Sequence, residues 1–186
     1  MRIITGTLKG RKISVPPGID NIRPSSDRTK ESMFAIIDAR KHLSGSTVLD
    51  LFAGSGNLGF EALSRGAGRV VFVESSEIAL KHIEKTGRQF QVEERTQCIC
   101  SSVEGFLDGP SQPFDFVFAD PPYDYDELQH LPETVLKDNW LKDKGWFLLE
   151  HDKRHRFDAH PHCVFSKPYG RTIVTIFTRE LVPADT

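Results

Sequence analysis

The fold of this chain is decided by one stretch, residues 47–66, which reads TVLDLFAGSGNLGFEALSRG. It opens with a short apolar run typical of a buried strand, turns through three glycines, and continues as a helical segment closed by Gly66. Short apolar runs and amphipathic segments then alternate as far as residue 150. This alternation predicts an α/β fold with a mostly parallel sheet.

The elements around this stretch follow from the same patterns. We predict short strands at 3–4 and 12–15, and a helix that begins after an extended segment at 23–27. A capping box from Ser101 to Glu104 is expected to open a short helix. The other predicted strands are 47–51, 69–74, 96–100, 114–119, 145–150, 163–165 and 172–177. The other predicted helices are 58–65, 78–90 and 125–136. The last two strands would form a C-terminal antiparallel hairpin.

The glycine turn predicts a ligand site. Gly54, Gly56 and Gly59 allow a sharp turn and a close approach of backbone to ligand, and their spacing also fits a dinucleotide fingerprint. Glu74 ends the next strand, where it can accept ribose hydroxyls in either case. Asp50 favours S-adenosylmethionine, because a carboxylate suits a cationic amino or sulfonium group and repels a pyrophosphate. A tight turn without a ligand is the alternative interpretation.

The catalytic prediction rests on Asp120-Pro121-Pro122-Tyr123, hereafter the tetrad, which follows a predicted strand. The two prolines restrict the backbone and so hold two acceptors, the Asp120 carboxylate and the Pro121 carbonyl. These suit the two N–H groups of an exocyclic amino group, whose lone pair is then aimed at a methyl sulfonium. Tyr123 is suited to stack on an unstacked base. A proline-rich turn with a capping Asp is the alternative.

Charge is distributed unevenly along the chain. The net charge of −2 does not indicate a nucleic-acid binder, but residues 1–42 carry nine Lys/Arg against four Asp/Glu. We predict a basic N-terminal extension over 1–42 and a methyltransferase domain over 43–182. Because no aromatic residues are interleaved, phosphate contact is favoured over base stacking, with a solvated basic face as the alternative. The predicted RNA-binding residues are Lys9, Arg11, Lys12, Arg23 and Arg28.

Other features exclude classes of protein. The three cysteines form no disulfide framework, and none stands where a cytosine-C5 methyltransferase carries its nucleophile. The histidines between 151 and 162 suggest a metal site, but Lys153, Arg154 and Arg156 would repel a cation, so no metal is predicted. No apolar run is long enough for a membrane span, and we expect no secretory signal, because the first residues lack an apolar stretch. We expect a cytoplasmic monomer.

The motifs together resemble the RsmD family of bacterial 16S ribosomal RNA (guanine-N2)-methyltransferases. The matching segments are RII-x-G at 2–6, GRK at 10–12, RPS-x-DR at 23–28, DLFAGSG at 50–56, EALSRGA at 61–67 and DPPY at 120–123. The resemblance covers nearly the whole chain. It departs from the usual family pattern at Ser25 (usually Thr), at Ser101-Ser102 (often with an Asn) and at Arg171 (commonly Asp).

This resemblance implies a Rossmann-like class I methyltransferase fold with a seven-stranded sheet. It implies S-adenosylmethionine as cofactor and 16S ribosomal RNA as substrate, either bare or within a small-subunit particle. The expected cofactor-binding residues are Asp50, Phe52, Ala53, Gly54, Ser55, Gly56, Gly59, Glu74, Ser75, Ser102, Val103 and Asp120.

Three other functions are considered. Adenine-N6 methylation of DNA is disfavoured, because such enzymes usually need a target-recognition domain. Methylation of protein glutamine would prefer Asn at position 120. A non-catalytic RNA-binding module would not need intact Asp120 and Glu74.

Overall fold

A seven-stranded mixed sheet organises the chain, and the computed structural model describes residues 1–15, 27–137 and 139–181. The strands are β1 Thr47–Leu51, β2 Arg69–Glu74, β3 Thr96–Cys100, β4 Phe114–Ala119, β5 Leu141–Asp152, β6 Cys163–Tyr169 and β7 Thr172–Phe177. Their order is β3-β2-β1-β4-β5-β7-β6. Strands β1 to β5 are parallel, whereas β7 is antiparallel to both β5 and β6. The predicted α/β sheet with a C-terminal hairpin is therefore confirmed.

Helices cover both faces of the sheet. They are α1 Asp27–Arg40, α2 Asn57–Ser64, α3 Glu77–Phe90, α4 Val103–Leu107 and α5 Leu131–Lys137, with 3-10 helices at Glu93–Arg95 and Asp126–Gln129. Apolar residues of α1, α2 and α3 share one core with the N-terminal residues, and those of α4 and α5 share another. All residues of α2 are buried, because the helix lies between the sheet and the N-terminal segment.

The N-terminal residues 1–15 form a tight hairpin that lies along α2. The predicted strands are wrong in extent, since Arg2 and Lys12 form only an isolated antiparallel bridge. The turn of the hairpin binds the C-terminal end of α2: Thr7 donates its N–H to the Ser64 carbonyl at 2.8 Å, and Leu8 donates to Ser64 Oγ at 2.9 Å. The helix predicted after residue 27 is α1. The predicted domain boundary stays a prediction, and its last residue, 182, lies outside the described residues.

Three element predictions are wrong in detail. The single helix expected over 125–136 is a 3-10 helix followed by α5, because Pro132 lacks an N–H and its ring would clash with the preceding turn of a continuous helix. Strand β5 begins at Leu141 rather than at residue 145, pairing with Phe114 before a register shift. Ser102, not Ser101, is the N-cap of α4, since its Oγ accepts the Gly105 N–H at 3.1 Å.

The strand order places the site. From β1 the chain proceeds to β2 and β3 on one side of the sheet, and then crosses to β4 on the other side. Leu51 pairs with Ala119, so the turns after β1 and β4 start side by side at the carboxyl edge. Such a switch point is where open α/β sheets bind their ligands. Among the described residues, no helix is long and apolar enough to span a membrane.

Candidate active site

The turn between β1 and α2 has an unusual backbone. Phe52, Gly54 and Gly56 all have positive φ, at 57°, 55° and 77°. The turn is held by two short hydrogen bonds: Gly56 N–H to the Ala53 carbonyl at 2.7 Å, and Gly54 N–H to the Glu74 carboxylate at 2.8 Å. A positive φ at Phe52 is costly for a residue with a side chain, so this conformation is imposed by its surroundings. The loop is thus fixed in shape at the carboxyl edge.

Gly59 lets α2 lie close to β2. A Cβ at Gly59 would stand 2.2 Å from Phe72 Cε1 and 2.9 Å from Val70 Cγ1, both in the core. A Cβ at Gly56 would likewise stand 2.8 Å from the Phe60 ring. The glycine spacing therefore reflects helix-to-strand packing as well as access for a ligand.

Three carboxylates converge at the ends of neighbouring strands. Asp50 is buried and accepts the Gly59 N–H at 2.9 Å. Burial raises the pKa of Asp50 well above its ordinary value, and the charges of Asp120 and Glu74 raise it further. Glu74 is half-buried and also accepts the Ser76 N–H at 2.8 Å. Since negative charge accumulates here, the site favours a ligand that carries positive charge.

An aromatic contact joins the turn after β1 to the segment after the tetrad. Tyr125 packs edge-on against Phe52, with ring centroids 4.8 Å apart. The Tyr125 hydroxyl also hydrogen-bonds the Glu104 carboxylate, on α4. Burial raises the pKa of Tyr125, and the bond to Glu104 raises it further. Sequence reasoning assigned Tyr125 only to a helix and missed its place in the site, because the local sequence pattern carries no signal for its contact with Phe52.

The predicted adenine-side residues lie next to Glu74. Ser101 donates its N–H to the Glu74 carbonyl at 3.1 Å, which brings the start of α4 beside the end of β2. Ser102 is exposed as the N-cap of α4, and Val103 is buried in its first turn. Ser75, also exposed, places its Oγ 3.4 Å from a Glu74 oxygen. The turn after β1, Glu74 and the start of α4 therefore line one continuous edge.

The tetrad begins directly beside this edge. Asp120 follows β4, next to the start of the turn after β1, and is half-buried. Pro121 is half-buried, whereas Pro122 and Tyr123 are exposed, with 45% of Tyr123 accessible. The structure brings the tetrad together with the glycine turn and Glu74 at the carboxyl edge of the sheet. It also adds Arg154, which was not predicted and which donates to the Tyr123 carbonyl.

The predicted RNA-binding residues are spread over the molecule. Lys9 lies in the hairpin turn at the C-terminal end of α2, and Arg11 donates to the Gln89 carbonyl at 3.0 Å, near the end of α3. Because the tetrad lies at the other end of these helices, Lys9 is roughly one helix length, or ~12 Å, from the glycine turn. Lys12 and Arg28 are exposed, and Arg28 lies in the first turn of α1. Arg23 lies outside the described residues.

Lys30 ties α1 to the start of α2. Its ammonium donates to Asn57 Oδ1 and to the Arg2 carbonyl, both at 2.7 Å. This contact places the first turn of α1, and with it Arg28, at the end of α2 that carries the glycine turn. Of the predicted cations that the structure describes, Arg28 is therefore better placed for the tetrad than Lys9 or Arg11.

The histidines and cysteines have structural contacts. His151 is buried and pairs its ring nitrogens with the Thr175 hydroxyl at 2.8 Å and the Asp152 carbonyl at 2.9 Å. In the part of the chain that the structure describes, no cluster of three His, Cys, Asp or Glu residues could hold a metal ion. Burial raises the pKa of the Cys98 thiol to about 11, so it is a poor nucleophile at neutral pH.

The sequence matches one protein family over nearly its whole length. A family model described as conserved hypothetical protein 95 matches residues 1–178. The chain belongs to this family. A relative, the ribosomal RNA small subunit methyltransferase D of Haemophilus influenzae, is 36% identical over 156 residues, which cover 82% of this chain and 79% of that protein. The resemblance to the RsmD family of methyltransferases is thereby confirmed.

Solved structures agree with the RsmD-family fold. The structure of an Escherichia coli protein described as putative methyltransferase yhhF has a TM-score of 0.84 at 28% identity, covering 98% of this chain and 99% of that chain. An RNA methyltransferase of Salinibacter ruber, solved in complex with S-adenosyl-L-homocysteine, has a TM-score of 0.67 at 15% identity, covering 88% and 98%. The second likeness shows the fold, which is that of class I methyltransferases.

Proposed function

We propose that this chain methylates the N2 amino group of a guanine in 16S ribosomal RNA, using S-adenosylmethionine. One observation carries the proposal: the glycine turn, Glu74 and the tetrad meet at one switch point of the sheet. The relatives named as small-subunit ribosomal RNA methyltransferases support the substrate class. The choice of guanine N2 over another amino group comes from the RsmD resemblance, not from the tetrad.

The described residues fit this cofactor. Glu74 Oε2 accepts only the Gly54 N–H among the described contacts and keeps a lone pair that can accept a ribose hydroxyl, whereas Oε1 accepts the Ser76 N–H and, at 3.4 Å, the Ser75 hydroxyl. The converging charge of Asp50, Glu74 and Asp120 suits a ligand with an ammonium and a sulfonium. When bound, S-adenosylmethionine supplies the electrophilic methyl group. The proposed contacts are with Asp50, Phe52, Ala53, Gly54, Ser55, Gly56, Gly59, Glu74, Ser75, Ser102, Val103 and Asp120.

The tetrad would hold the acceptor nitrogen. The Asp120 carboxylate and the Pro121 carbonyl accept the two N–H groups, so the lone pair points along the line of transfer. The same acceptors would stabilise the positive charge that builds up on nitrogen as its lone pair forms the new C–N bond. The bond from the methyl group to the sulfonium would break with its electrons left on sulfur as a neutral thioether, and the nitrogen would then release one N–H proton to solvent. Pro122 fixes the backbone that carries them. Tyr123, which is half accessible at the surface, stacks on a base taken out of its helix.

RNA would reach this edge along the extension proposed for residues 1–42, ahead of a methyltransferase domain over 43–182. The proposed phosphate contacts are Lys9, Arg11, Lys12, Arg23 and Arg28. Arg28 is placed for phosphates near the target nucleotide, whereas Lys9 and Arg11 would meet RNA at a distance from it. Such remote contacts raise affinity without specifying sequence.

An activity assay tests the proposal. We expect the wild type to transfer labelled methyl groups to RNA of small ribosomal subunits from bacteria lacking the family enzyme. Asp120→Ala should lower transfer at least about 100-fold while cofactor affinity stays within a few-fold, because Asp120 acts mainly on the acceptor nitrogen. Asp108→Ala, an exposed acid at the end of α4, is the matched control and should keep full activity. Full activity in Asp120→Ala would contradict the mechanism.

A further inference from the structure

One ion pair lies against the tetrad and is not part of the predicted site. Arg154, just after β5, donates Nε and Nη2 to Asp152, with N–O distances of 2.7 and 2.6 Å. Its Nη2 also donates to the Tyr123 carbonyl, and its guanidinium lies over the Tyr123 ring, 5.9 Å from the centroid. A single side chain thus contacts both the backbone and the ring of the residue proposed to stack on the base.

The position of Arg154 is fixed from several directions. The Asp152 carboxylate accepts a hydrogen bond from the Arg154 backbone N–H at 2.9 Å and others from the guanidinium. The same acid therefore fixes both the backbone conformation of the turn and the orientation of the Arg154 side chain. The Asp152 side chain is only 15% exposed, and the bond from Arg154 lowers the pKa of Asp152. Asp152 therefore stays ionised at neutral pH and keeps the guanidinium oriented.

Arg154 keeps binding capacity toward solvent. Its side chain is 63% exposed, and Nη1 has no hydrogen-bond partner among the described residues. Arginine combines a planar fork for acids with a flat face for aromatic rings, a combination that lysine lacks. Here the fork is taken by Asp152 and the Tyr123 carbonyl, while the guanidinium carbon lies over the Tyr123 ring, 5.9 Å from its centroid.

We propose that Arg154, oriented by Asp152, is a positioning residue for methyl transfer: it fixes the Tyr123 ring as the platform for the target base. This inference rests on the proposed function, since Tyr123 must stack on a base. Arg154 acts on the reaction only through Tyr123. It should therefore affect how well the bound base is oriented, rather than how tightly the cofactor binds.

The chain offers a matched control in the same loop. Arg156 is 79% exposed and pairs with the exposed Asp158 at 3.4 Å, and none of its contacts reaches the tetrad. Arg156→Gln removes the same charge from the same surface without touching Tyr123. Arg154→Lys keeps the charge but loses the planar fork. If only the positive charge of this loop mattered, Arg154→Gln and Arg156→Gln would lose the same activity, and Arg154→Lys would keep full activity.

Steady-state kinetics on small-subunit RNA separates these cases. We expect Arg154→Gln and Arg154→Lys to lower kcat about tenfold or more, with the KM for S-adenosylmethionine unchanged and Arg156→Gln within about twofold of wild type. Equal effects of the two glutamine variants, or full activity in Arg154→Lys, would overturn this inference and leave the proposed function unaffected. A wild type that transfers no methyl group would overturn the proposed function, and the inference with it.

A spectroscopic measurement checks the position of Tyr123 without substrate. The chain has only three tyrosines, so protein labelled with 3-fluorotyrosine gives three ¹⁹F resonances, assignable by Tyr→Phe variants. In Arg154→Gln the Tyr123 resonance should move toward that of free fluorotyrosine and sharpen, while those of Tyr125 and Tyr169 stay in place. An unchanged Tyr123 resonance would overturn the positioning role even if activity fell.

Discussion

The sharpest structural prediction concerns Glu61, a fully buried acid on α2. Its carboxylate accepts the N–H groups of Ile4 and Thr5 at 2.8 and 3.1 Å and Arg65 Nε at 2.9 Å, and lies 3.4 Å from Lys30 Nζ. Glu61→Ala would leave Lys30, whose side chain is 0% exposed, without its counter-charge. Breaking a buried pair in this way costs about 3–5 kcal/mol, which for a domain of this size lowers Tm by about 6–20 °C.

Thermal unfolding followed by circular dichroism measures this effect. Glu77→Ala is the control, because Glu77 and Lys81 form an ion pair that is 70% exposed on both sides, and its Tm should not change measurably. Burial lowers the pKa of Lys30, and Glu61 opposes that shift. Without Glu61 the folded-state pKa falls further, so the stability deficit should shrink as pH rises toward about 10.4, the ordinary lysine value. A Tm drop below about 2 °C would refute the reasoning.

Two further predictions concern the glycine turn. Asp50→Asn should stabilise the ligand-free protein near neutral pH. The raised pKa of Asp50 means that the folded state loses stability as pH rises above about 3.9, the ordinary value, and asparagine does not ionise. The same variant should bind S-adenosylmethionine about tenfold more weakly, as measured by isothermal titration calorimetry. A less stable variant would contradict this. Gly59→Ala should lower the free energy of unfolding in denaturant by about 1–3 kcal/mol, because its Cβ would clash with Phe72. Gly87→Ala is the control: its Cβ would have no contact under 3.5 Å, so it should stabilise α3. Equal effects of the two variants would contradict the packing argument.

The architecture could be predicted because its signals are local. The strand before Gly54, the glycine turn and the tetrad each occupy a few consecutive residues, and the order of strands and helices follows from periodicity. The RsmD resemblance then supplied the number of strands. Errors occurred where two local signals conflicted, as where Pro132 stands inside an otherwise helical pattern, or where two serines, Ser101 and Ser102, were both suited to cap one helix.

The contacts that complete the site could not be predicted, because they join distant segments. Arg154 and Tyr123 are 31 residues apart, and so are Lys30 and Glu61. Charge counting correctly singled out the first 42 residues as basic, but it could not tell which end of the sheet each cation would occupy. The hairpin geometry decides that, since Gly6 and its neighbours turn the chain at the far end of α2.

The identity of the methylated nucleoside tests the central claim most directly. Small ribosomal subunits from bacteria lacking the family enzyme would be treated with the wild-type chain and S-adenosylmethionine, and the 16S RNA digested to nucleosides for mass spectrometry. We predict a single new product, N2-methylguanosine, at one position, and none with Asp120→Ala. N6-methyladenosine, or no methylated nucleoside with an active cofactor-binding protein, would contradict the account.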